Sequence, residues 1–304
     1  MAASRPHFQR LERQGRRFTL ELRANPGAGT LLFYPGTMVS PRQYRPLMEA
    51  LHGAGFAVAG LHLEGHGVNP HGSGFTFASL LEDGLIAERW LHAQGLGPVA
   101  VCGHSQGGIL AVAHAGASAT LTAAFAICTV LPQMPEAIGL TRFAPLAGRR
   151  GGLERAIAAL GRALPRLPLT LGCYLSLRRV LAGHGRLRVD RRGSRWSYPL
   201  GFLASLFTAR VPSRLLCPFR LYNARNDALF TPELARAVFD ELRAPEKELV
   251  WLGGGGHLAP MAPEYAGFIA RDAASVCSGL GLPLRLGACG PETAARGSEN
   301  RPKR

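Results

Sequence analysis

The sequence has almost no lysine: only Lys247 and Lys303 occur, although Lys and Arg together number 35 against 20 Asp and Glu. The net charge of +15 is therefore almost entirely arginine. No zinc-finger spacing, RNA-stacking motif or recognition-helix pattern accompanies this charge. Because basic charge alone attracts anions of any kind, we expect no nucleic-acid partner.

Long apolar runs and a secretory leader are also missing. Residues 1–17 contain no hydrophobic segment of the kind that a signal peptide needs. The most apolar region, residues 99–131, is interrupted by Gly, His and Gln, which argues against a membrane span. The six cysteines form no C-x-x-C pair, a pattern that fits a reducing compartment. We expect a cytoplasmic protein, with peripheral membrane association left open.

The motifs for metal and nucleotide binding are absent as well. No G-x-x-x-x-G-K-[ST] phosphate loop occurs. His62, Glu64, His66 and His71 cluster within ten residues, but in the order H-x-E-x-H and without a predicted helix. We therefore expect neither a metal ion nor another cofactor.

What the sequence does contain is an alternation of apolar runs and amphipathic segments. Continuous apolar runs are typical of strands buried on both faces of a parallel sheet, and a 3.6-residue periodicity indicates helices. The predicted strands are 8–10, 18–22, 30–34, 55–61, 99–102, 121–128, 219–222 and 248–252, and the predicted helices are 41–52, 77–93, 108–115, 232–242 and 263–278. This order predicts an α/β fold with a mostly parallel sheet flanked by helices.

The alternation stops between residues 131 and 213. Thirteen arginines against two acidic residues between Arg142 and Arg195 give this insert a local charge of +11. One helix is indicated by an apolar stripe, Leu153, Ile157, Leu160 and Leu164. We predict a core made of residues 1–130 and 214–282, an Arg-rich helical insert at 131–213, and a flexible tail at 283–304.

The segment Gly103-His104-Ser105-Gln106-Gly107 fits G-x-S-x-G, a weak signal by itself in a chain with 38 glycines. Its context is more specific, because Ser105 lies where a buried strand turns directly into a helix, as in a nucleophile elbow. Gly103 and Gly107 lack a Cβ, so strand and helix can approach closely around the turn. We predict that Ser105 is a nucleophile.

Two further side chains complete the chemistry. Asp227 follows the strand 219–222 and His257 follows the strand 248–252, both in loops. The chain order Ser, Asp, His is that of the α/β hydrolases, and the carboxyl ends of parallel strands meet at one edge of a sheet. Asp227 alone could be a capping residue and His257 alone a surface histidine. Together with Ser105 they predict a catalytic triad.

An oxyanion hole needs two N–H donors. One is expected from Gln106, the residue after the nucleophile, and the other from the loop after the strand 30–34. Pro35 has no N–H, so Thr37 is the predicted second donor, with Met38 as the next choice.

These motifs together resemble the α/β-hydrolase superfamily, in particular the lysophospholipase and monoacylglycerol-lipase-like (serine aminopeptidase-like) group. The resemblance covers roughly residues 18–125 and 215–275 and rests on residues 31–36, 44–47, 55–58, 63–67 and 103–108, the Asp227 loop and the Gly256-His257 pair. It implies that residues 131–213 form a cap over the active site, inserted after the fourth strand of the parallel sheet. Pro35 stands where the family usually has His, and Glu64 where it often has Asp or Arg.

The resemblance implies a serine hydrolase that cleaves a small-molecule carboxylic ester through an acyl-enzyme. A serine nucleophile argues against dehalogenase or epoxide-hydrolase chemistry, which needs a carboxylate. A thioesterase or an acyltransferase would use the same triad and stays an alternative. So does a non-catalytic protein of this fold that binds an anionic lipid surface through its basic cap.

Overall fold

The computed structural model describes residues 6–13, 15–69, 74–175 and 194–286. His71, the arginines between residues 178 and 192, and the predicted tail beyond residue 286 lie outside the described residues. The described part contains one large sheet, helices that cover its two faces, and the insert between residues 131 and 213.

The large sheet has eight strands in the order β1-β2-β4-β3-β5-β6-β9-β10. The first two strands form an antiparallel hairpin, β2 pairs antiparallel with β4, and all other neighbours are parallel. The strands are β1 (His7–Arg13), β2 (Arg16–Arg23), β3 (Thr30–Tyr34), β4 (Ala57–His62), β5 (Val99–His104), β6 (Leu121–Ile127), β9 (Phe219–Ala224) and β10 (Lys247–Leu252). A mostly parallel sheet was predicted, and it is confirmed.

The central strands are apolar because both of their faces are covered. Every residue of β3, β4 and β5 is buried, as expected for parallel strands between two helical layers. The helices of the core are α1 (Arg45–Gly53), α2 (Phe77–Ala93), α3 (Gln106–Ala117), α6 (Pro232–Glu241) and α7 (Pro263–Gly279). Both layers bury the sheet, so the loops at the carboxyl ends of the strands are left to form a site.

The insert follows β6, the fourth parallel strand in chain order, and we call residues 131–213 the cap. Its described elements are α4 (Arg150–Ala163), a small hairpin of β7 (Pro168–Thr170) and β8 (Ser197–Pro199), and α5 (Leu200–Phe207). Helix α4 packs on α5 where Gly161 leaves room for the Ala204 methyl group. The predicted apolar stripe of α4 is partly buried only in its first half, at Leu153 and Ile157. In its second half Leu160 is 52% exposed. No helix among the described residues is long and apolar enough to cross a membrane.

Candidate active site

Ser105 lies in a sharp turn between β5 and α3. Its backbone has φ +56° and ψ −118°, a conformation that costs a non-glycine residue on the order of 1–3 kcal/mol. The turn is held by the Ser105 N–H, which donates to the carbonyl oxygen of Ile127 at 2.9 Å, and by the Ile109 N–H, which donates to the Ser105 carbonyl at 3.2 Å. A Cβ on Gly103 would collide with the Gly107 carbonyl, and a Cβ on Gly107 would collide with the Tyr34 carbonyl, so neither position accepts a side chain.

Ser105, His257 and Asp227 form one chain of hydrogen bonds. His257 Nδ1 lies 3.0 Å from Asp227 Oδ2, and His257 Nε2 lies 3.1 Å from Ser105 Oγ. Because a carboxylate can only accept, Nδ1 carries the proton and the lone pair of Nε2 faces the serine hydroxyl. The arrangement allows the imidazole to take the hydroxyl proton when Oγ attacks an electrophile.

The carboxylate of Asp227 is kept ionised by its surroundings. Burial alone would raise the pKa of Asp227, but the hydrogen bond from His257 and those from the Phe230 and Leu229 N–H groups outweigh it and lower the pKa. The two backbone bonds are 2.9 and 2.8 Å long, and both end on Oδ1. Oδ2 is thereby left for His257.

The thiol of Cys128 lies close enough to this carboxylate to be affected by its charge. Burial raises the pKa of Cys128 well above its usual value, and the charge and hydrogen bond of Asp227 raise it further. The thiol therefore stays protonated and can donate to Asp227. The sequence around Cys128 gives no sign of this neighbour, because Asp227 lies about a hundred residues further along the chain.

The loop that carries His257 is held by its glycine turn, by a hydrogen bond and by a ring stack. Gly255 and Gly256 have φ of +85° and +54°, so the run of glycines serves a turn that other residues rarely adopt. The Gly256 N–H donates to Asn226 Oδ1 at 2.9 Å. The imidazole of His257 stacks on the Phe230 ring, with centroids 4.9 Å apart and planes 12° apart. The imidazole of His257 is thereby placed next to Ser105.

Two predicted oxyanion donors face the same region. The Gln106 N–H belongs to the first residue of α3, so it has no acceptor within the helix. In the loop after β3, the Gly36 N–H donates to Tyr44 Oη at 3.0 Å and the Met38 N–H donates to Tyr198 Oη at 2.8 Å. The N–H of Thr37, between them, has no acceptor among the described residues, and the Thr37 hydroxyl donates to Gln106 Oε1 at 3.3 Å. Met38, the second choice from the sequence, is thus engaged elsewhere.

A buried chain of hydrogen bonds links Tyr44, the partner of the loop after β3, to the backbone of His257. The Tyr44 hydroxyl lies 2.6 Å from His104 Nδ1, and His104 Nε2 lies 2.7 Å from the carbonyl oxygen of His257. Because that carbonyl can only accept, Nε2 carries the proton and Nδ1 accepts from Tyr44. Position two of the G-x-S-x-G motif is therefore structural. Tyr44 was expected only as part of the helical pattern at 41–52.

A cavity of about 190 Å³ opens above Ser105. Its floor comes from the core and includes Thr37, Ser105 and Gln106, and its walls come mainly from the cap. The cap residues that line it are Pro132, Ala137, Leu140, Thr141, Phe143, Ile157, Leu169, Cys173, Tyr174, Leu175, Leu200, Leu203, Leu206 and Phe207. None of these side chains is charged, so the arginines of the cap that the structure describes lie outside the cavity wall.

Metal-ligating side chains come close together at one place in the described chain, where one ring nitrogen of His104 and one of His257 and the Cys128 sulfur lie within 4.8 Å of one another. Both nitrogens of each histidine already take part in hydrogen bonds. The histidines of the H-x-E-x-H segment are also engaged: His62 bonds to Glu21 at 3.2 Å and His66 to Tyr198 at 2.7 Å. These histidines have structural hydrogen-bond roles.

A mostly parallel sheet, a serine in a strained strand–helix turn and an inserted cap define the class of α/β hydrolases. Comparison with known proteins agrees, because the sequence matches the alpha/beta hydrolase family over residues 30–271. The chain belongs to the α/β hydrolase family. A search of curated protein sequences finds no significant match.

Solved structures with the same fold include two lipases. A soluble variant of the monoglyceride lipase of Saccharomyces cerevisiae, in complex with a substrate analogue, is 15% identical with a TM-score of 0.66 over 90% of this chain and 95% of its own. The monoacylglycerol lipase of Paleococcus ferrophilus is 20% identical, with a TM-score of 0.62 over 86% and 98%. A thioesterase domain from the curacin biosynthetic pathway is 18% identical, with a TM-score of 0.57 over 90% and 99%. At these identities the likeness shows the fold.

Proposed function

We propose that this hydrolase cleaves a carboxylic ester with an uncharged, apolar acyl group, using Ser105, His257 and Asp227. The observation that carries the proposal is the hydrogen-bonded chain of these residues at the floor of an apolar cavity. The two parts of the observation are needed together. The hydrogen-bonded serine supplies the nucleophile for an acyl carbonyl, and the apolar cavity supplies the surface for an uncharged acyl chain. The lipase and esterase relatives of the same fold support the choice of substrate class.

The reaction follows from the positions of the side chains. His257 Nε2 accepts the proton of Ser105 Oγ as the oxygen attacks the acyl carbonyl, and Asp227 stabilises the imidazolium. The Gln106 and Thr37 N–H groups bind the oxyanion, each worth about 2.7–4 kcal/mol. His257 then protonates the leaving alcohol, and a water molecule, deprotonated by the same imidazole, cleaves the acyl-enzyme.

The cavity wall argues against a charged acyl group. A carboxylate or phosphate on the acyl chain would have to leave water without a cationic partner among the described lining residues, which is costly in free energy. An apolar chain instead gains from burial against the leucine and phenylalanine side chains of the cap.

The test is hydrolysis of p-nitrophenyl esters from acetate to palmitate by the wild-type chain and by Ser105→Ala. We expect activity that depends on acyl length and falls by at least 1,000-fold in Ser105→Ala, in line with other nucleophile deletions. A fluorophosphonate should label Ser105 in the wild type alone. Failure of both the hydrolysis and the labelling would refute the proposal.

A thioesterase remains the second candidate, because a thioesterase domain shares the fold and the same triad would cleave a thioester. The comparison is kcat/KM for an ester and an N-acetylcysteamine thioester of the same acyl chain. A large preference for the thioester would replace the ester proposal with this candidate.

We further propose that the cap places the enzyme on anionic membrane surfaces. Between residues 142 and 167 the cap exposes both arginines and leucines. The exposed arginines are Arg142, Arg149, Arg155, Arg162 and Arg166, and the exposed leucines are Leu146, Leu160, Leu164 and Leu167. Such a mixture suits the headgroup region of a bilayer that contains anionic lipid. Binding to phosphatidylserine vesicles as a function of salt tests this proposal.

A further inference from the structure

One hydroxyl of the cap contacts the loop that carries the Thr37 N–H. Tyr198, in β8, is completely buried. Its hydroxyl lies 2.7 Å from His66 Nε2 and accepts the Met38 N–H at 2.8 Å. His66 Nδ1 lies 2.8 Å from the Glu64 carbonyl oxygen, so the proton of the neutral imidazole is on Nδ1 and Nε2 accepts from Tyr198. All hydrogen-bonding capacity of this hydroxyl is thus directed at the core.

The residue that Tyr198 holds has an unusual backbone. Met38 has φ +66°, a region that side-chain-bearing residues rarely adopt unless their surroundings impose it. Its carbonyl oxygen accepts the Arg195 N–H at 2.8 Å. Both polar groups of Met38 are therefore bound by cap residues 195 and 198. The Met38 N–H belongs to the peptide that joins Thr37 to Met38, so these bonds hold the chain directly on the carboxyl side of Thr37.

The same hydroxyl lies beside the other half of the oxyanion hole. Burial raises the pKa of Tyr198, while the Met38 N–H and the adjacent Gln106 side chain lower it in part. Gln106 Nε2 itself makes no hydrogen bond of good geometry, so the Gln106 side chain lowers the pKa of Tyr198 by being close to its hydroxyl. Tyr198 therefore bonds to the residue that follows Thr37 and lies beside the Gln106 side chain.

The ring of Tyr198 is fixed by aromatic neighbours. Its centroid lies 5.2 Å from that of His66, 6.1 Å from that of Phe75 and 4.7 Å from that of Phe202, all at steep angles. Such edge-to-face packing favours one ring orientation. The hydroxyl is therefore held in one position against the loop after β3, which carries the Thr37 and Met38 N–H groups and which we call the oxyanion loop.

We propose that Tyr198 is a positioning residue for the oxyanion hole, through which the cap aligns the Thr37 N–H for the transition state. The inference rests on the proposed ester hydrolysis and assigns the cap a role in the chemical step besides forming the cavity wall. An interaction that acts only on the oxyanion changes kcat and leaves substrate binding alone.

The test compares Tyr198→Phe with the wild type on p-nitrophenyl butyrate. We expect kcat to fall about tenfold with KM unchanged within about twofold, less than the loss of a whole oxyanion donor because the N–H stays in place. The inhibition constant of a trifluoromethyl ketone, whose adduct with Ser105 carries an oxyanion, should rise by the same factor as kcat falls.

Tyr222→Phe is the matched control. It also removes a buried tyrosine hydroxyl, one that donates to Asp272 at 2.7 Å away from the oxyanion loop, and we expect it to lower thermal stability with kcat unchanged. If Tyr198→Phe lowers kcat no more than Tyr222→Phe does, or raises KM alone, the inference is refuted while ester hydrolysis stands. A wild-type chain without esterase activity or fluorophosphonate labelling refutes both.

A second pair of variants covers the case in which Tyr198→Phe does not fold. His66→Gln keeps an oxygen that can accept from Tyr198, and His66→Leu does not. We expect His66→Leu to lower kcat several-fold and His66→Gln to recover most of it at equal KM. Equal kcat in the two variants would contradict the positioning role.

Discussion

At the scale of single residues, the site is built so that each polar group of Asp227 has one task. Oδ1 accepts hydrogen bonds from two backbone N–H groups, and Oδ2 accepts a hydrogen bond from the N–H of His257 Nδ1. The charge of Asp227 therefore favours the tautomer of His257 that has the proton on Nδ1 and an unprotonated Nε2 facing Ser105. In the proposed reaction the Asp227 side chain acts through the imidazole, whereas the backbone bonds hold it in the loop.

Asp227→Asn should separate these tasks. The amide oxygen can still accept the two backbone N–H groups, but the amide nitrogen then faces Nδ1 and favours the wrong tautomer. We expect kcat to fall by about 10,000-fold, as in other triads, with little change in thermal stability. Steady-state kinetics and a thermal melt of the same preparation check this. A loss of less than tenfold would show that His257 does not depend on Asp227.

Residues could be predicted from the sequence where they follow a predicted strand. Ser105, Asp227 and His257 each do so, and parallel strands bring such positions to one edge. The structural roles of Tyr44, His104, Cys128 and Tyr198 could not be predicted, because their partners lie far along the chain and no local sequence pattern indicates them. The partners of Tyr198 lie 132 and 160 residues away along the chain, a distance that only the fold closes.

At the scale of elements, the predicted strands and helices agree with the structure to within a few residues, and the differences have physical causes. Strand β4 begins at Ala57, two residues after the predicted start, because Gly55 has φ +104° and forms the preceding turn. Helix α3 begins at Gln106, two residues early. Gly107 and Gly108 lie inside this helix. Gly107 is required there because the helix passes so close to the Tyr34 carbonyl that a Cβ would collide with it.

Helices α2 and α3 are joined by a buried polar cluster that the sequence did not indicate. Glu88 accepts hydrogen bonds from Ser118 at 2.8 Å and Thr120 at 2.6 Å, and lies 2.8 Å from His114 Nε2. His114 Nδ1 in turn lies 2.6 Å from the Tyr34 hydroxyl, at the end of β3. The cluster thus connects both helices to the strand that precedes the oxyanion loop.

Glu88→Gln tests how much this cluster stabilises the fold. Burial would raise the pKa of Glu88, but the bonds from His114, Thr120 and Ser118 lower it to about 2. A carboxyl whose pKa is lowered on folding from 4.5 contributes stability above about pH 4.5 and loses it as the pH falls towards 2. The contribution is about 3 kcal/mol at 1.36 kcal/mol per pKa unit.

Urea unfolding between pH 7 and pH 2.5 gives the measurement. We expect Glu88→Gln to be less stable than the wild type at pH 7 and the difference to shrink by up to about 3 kcal/mol at pH 2.5. Glu49→Gln is the control, because Glu49 pairs with Arg45 on the surface and such pairs contribute about 0–1 kcal/mol. A difference between Glu88→Gln and the wild type that is constant with pH would contradict the assignment.

At the scale of the whole molecule, charge and apolar surface are distributed unequally. The sequence places thirteen arginines between residues 142 and 195, and the described part of this segment exposes leucines on the outside while the cavity inside carries no charged lining residue. The cap therefore presents an apolar wall to the substrate and a mixed basic and apolar surface to the surroundings.

Removing charge from the cap should weaken membrane binding more than removing the same charge from the core. For Arg155→Gln/Arg162→Gln we expect about 30-fold weaker binding to vesicles of phosphatidylcholine and phosphatidylserine at 50 mM salt, from about 1 kcal/mol per arginine near the surface. Arg89→Gln/Arg271→Gln removes the same charge from exposed positions of α2 and α7 and should have little effect. Binding should also fall with salt, because the Debye length shortens to about 3 Å at 1 M. Equal binding by the two variants would show that the net charge of the molecule, and not the cap, directs it to lipid. Binding indifferent to phosphatidylserine would show that charge has no role. The esterase assay on soluble substrates would be unaffected in either case.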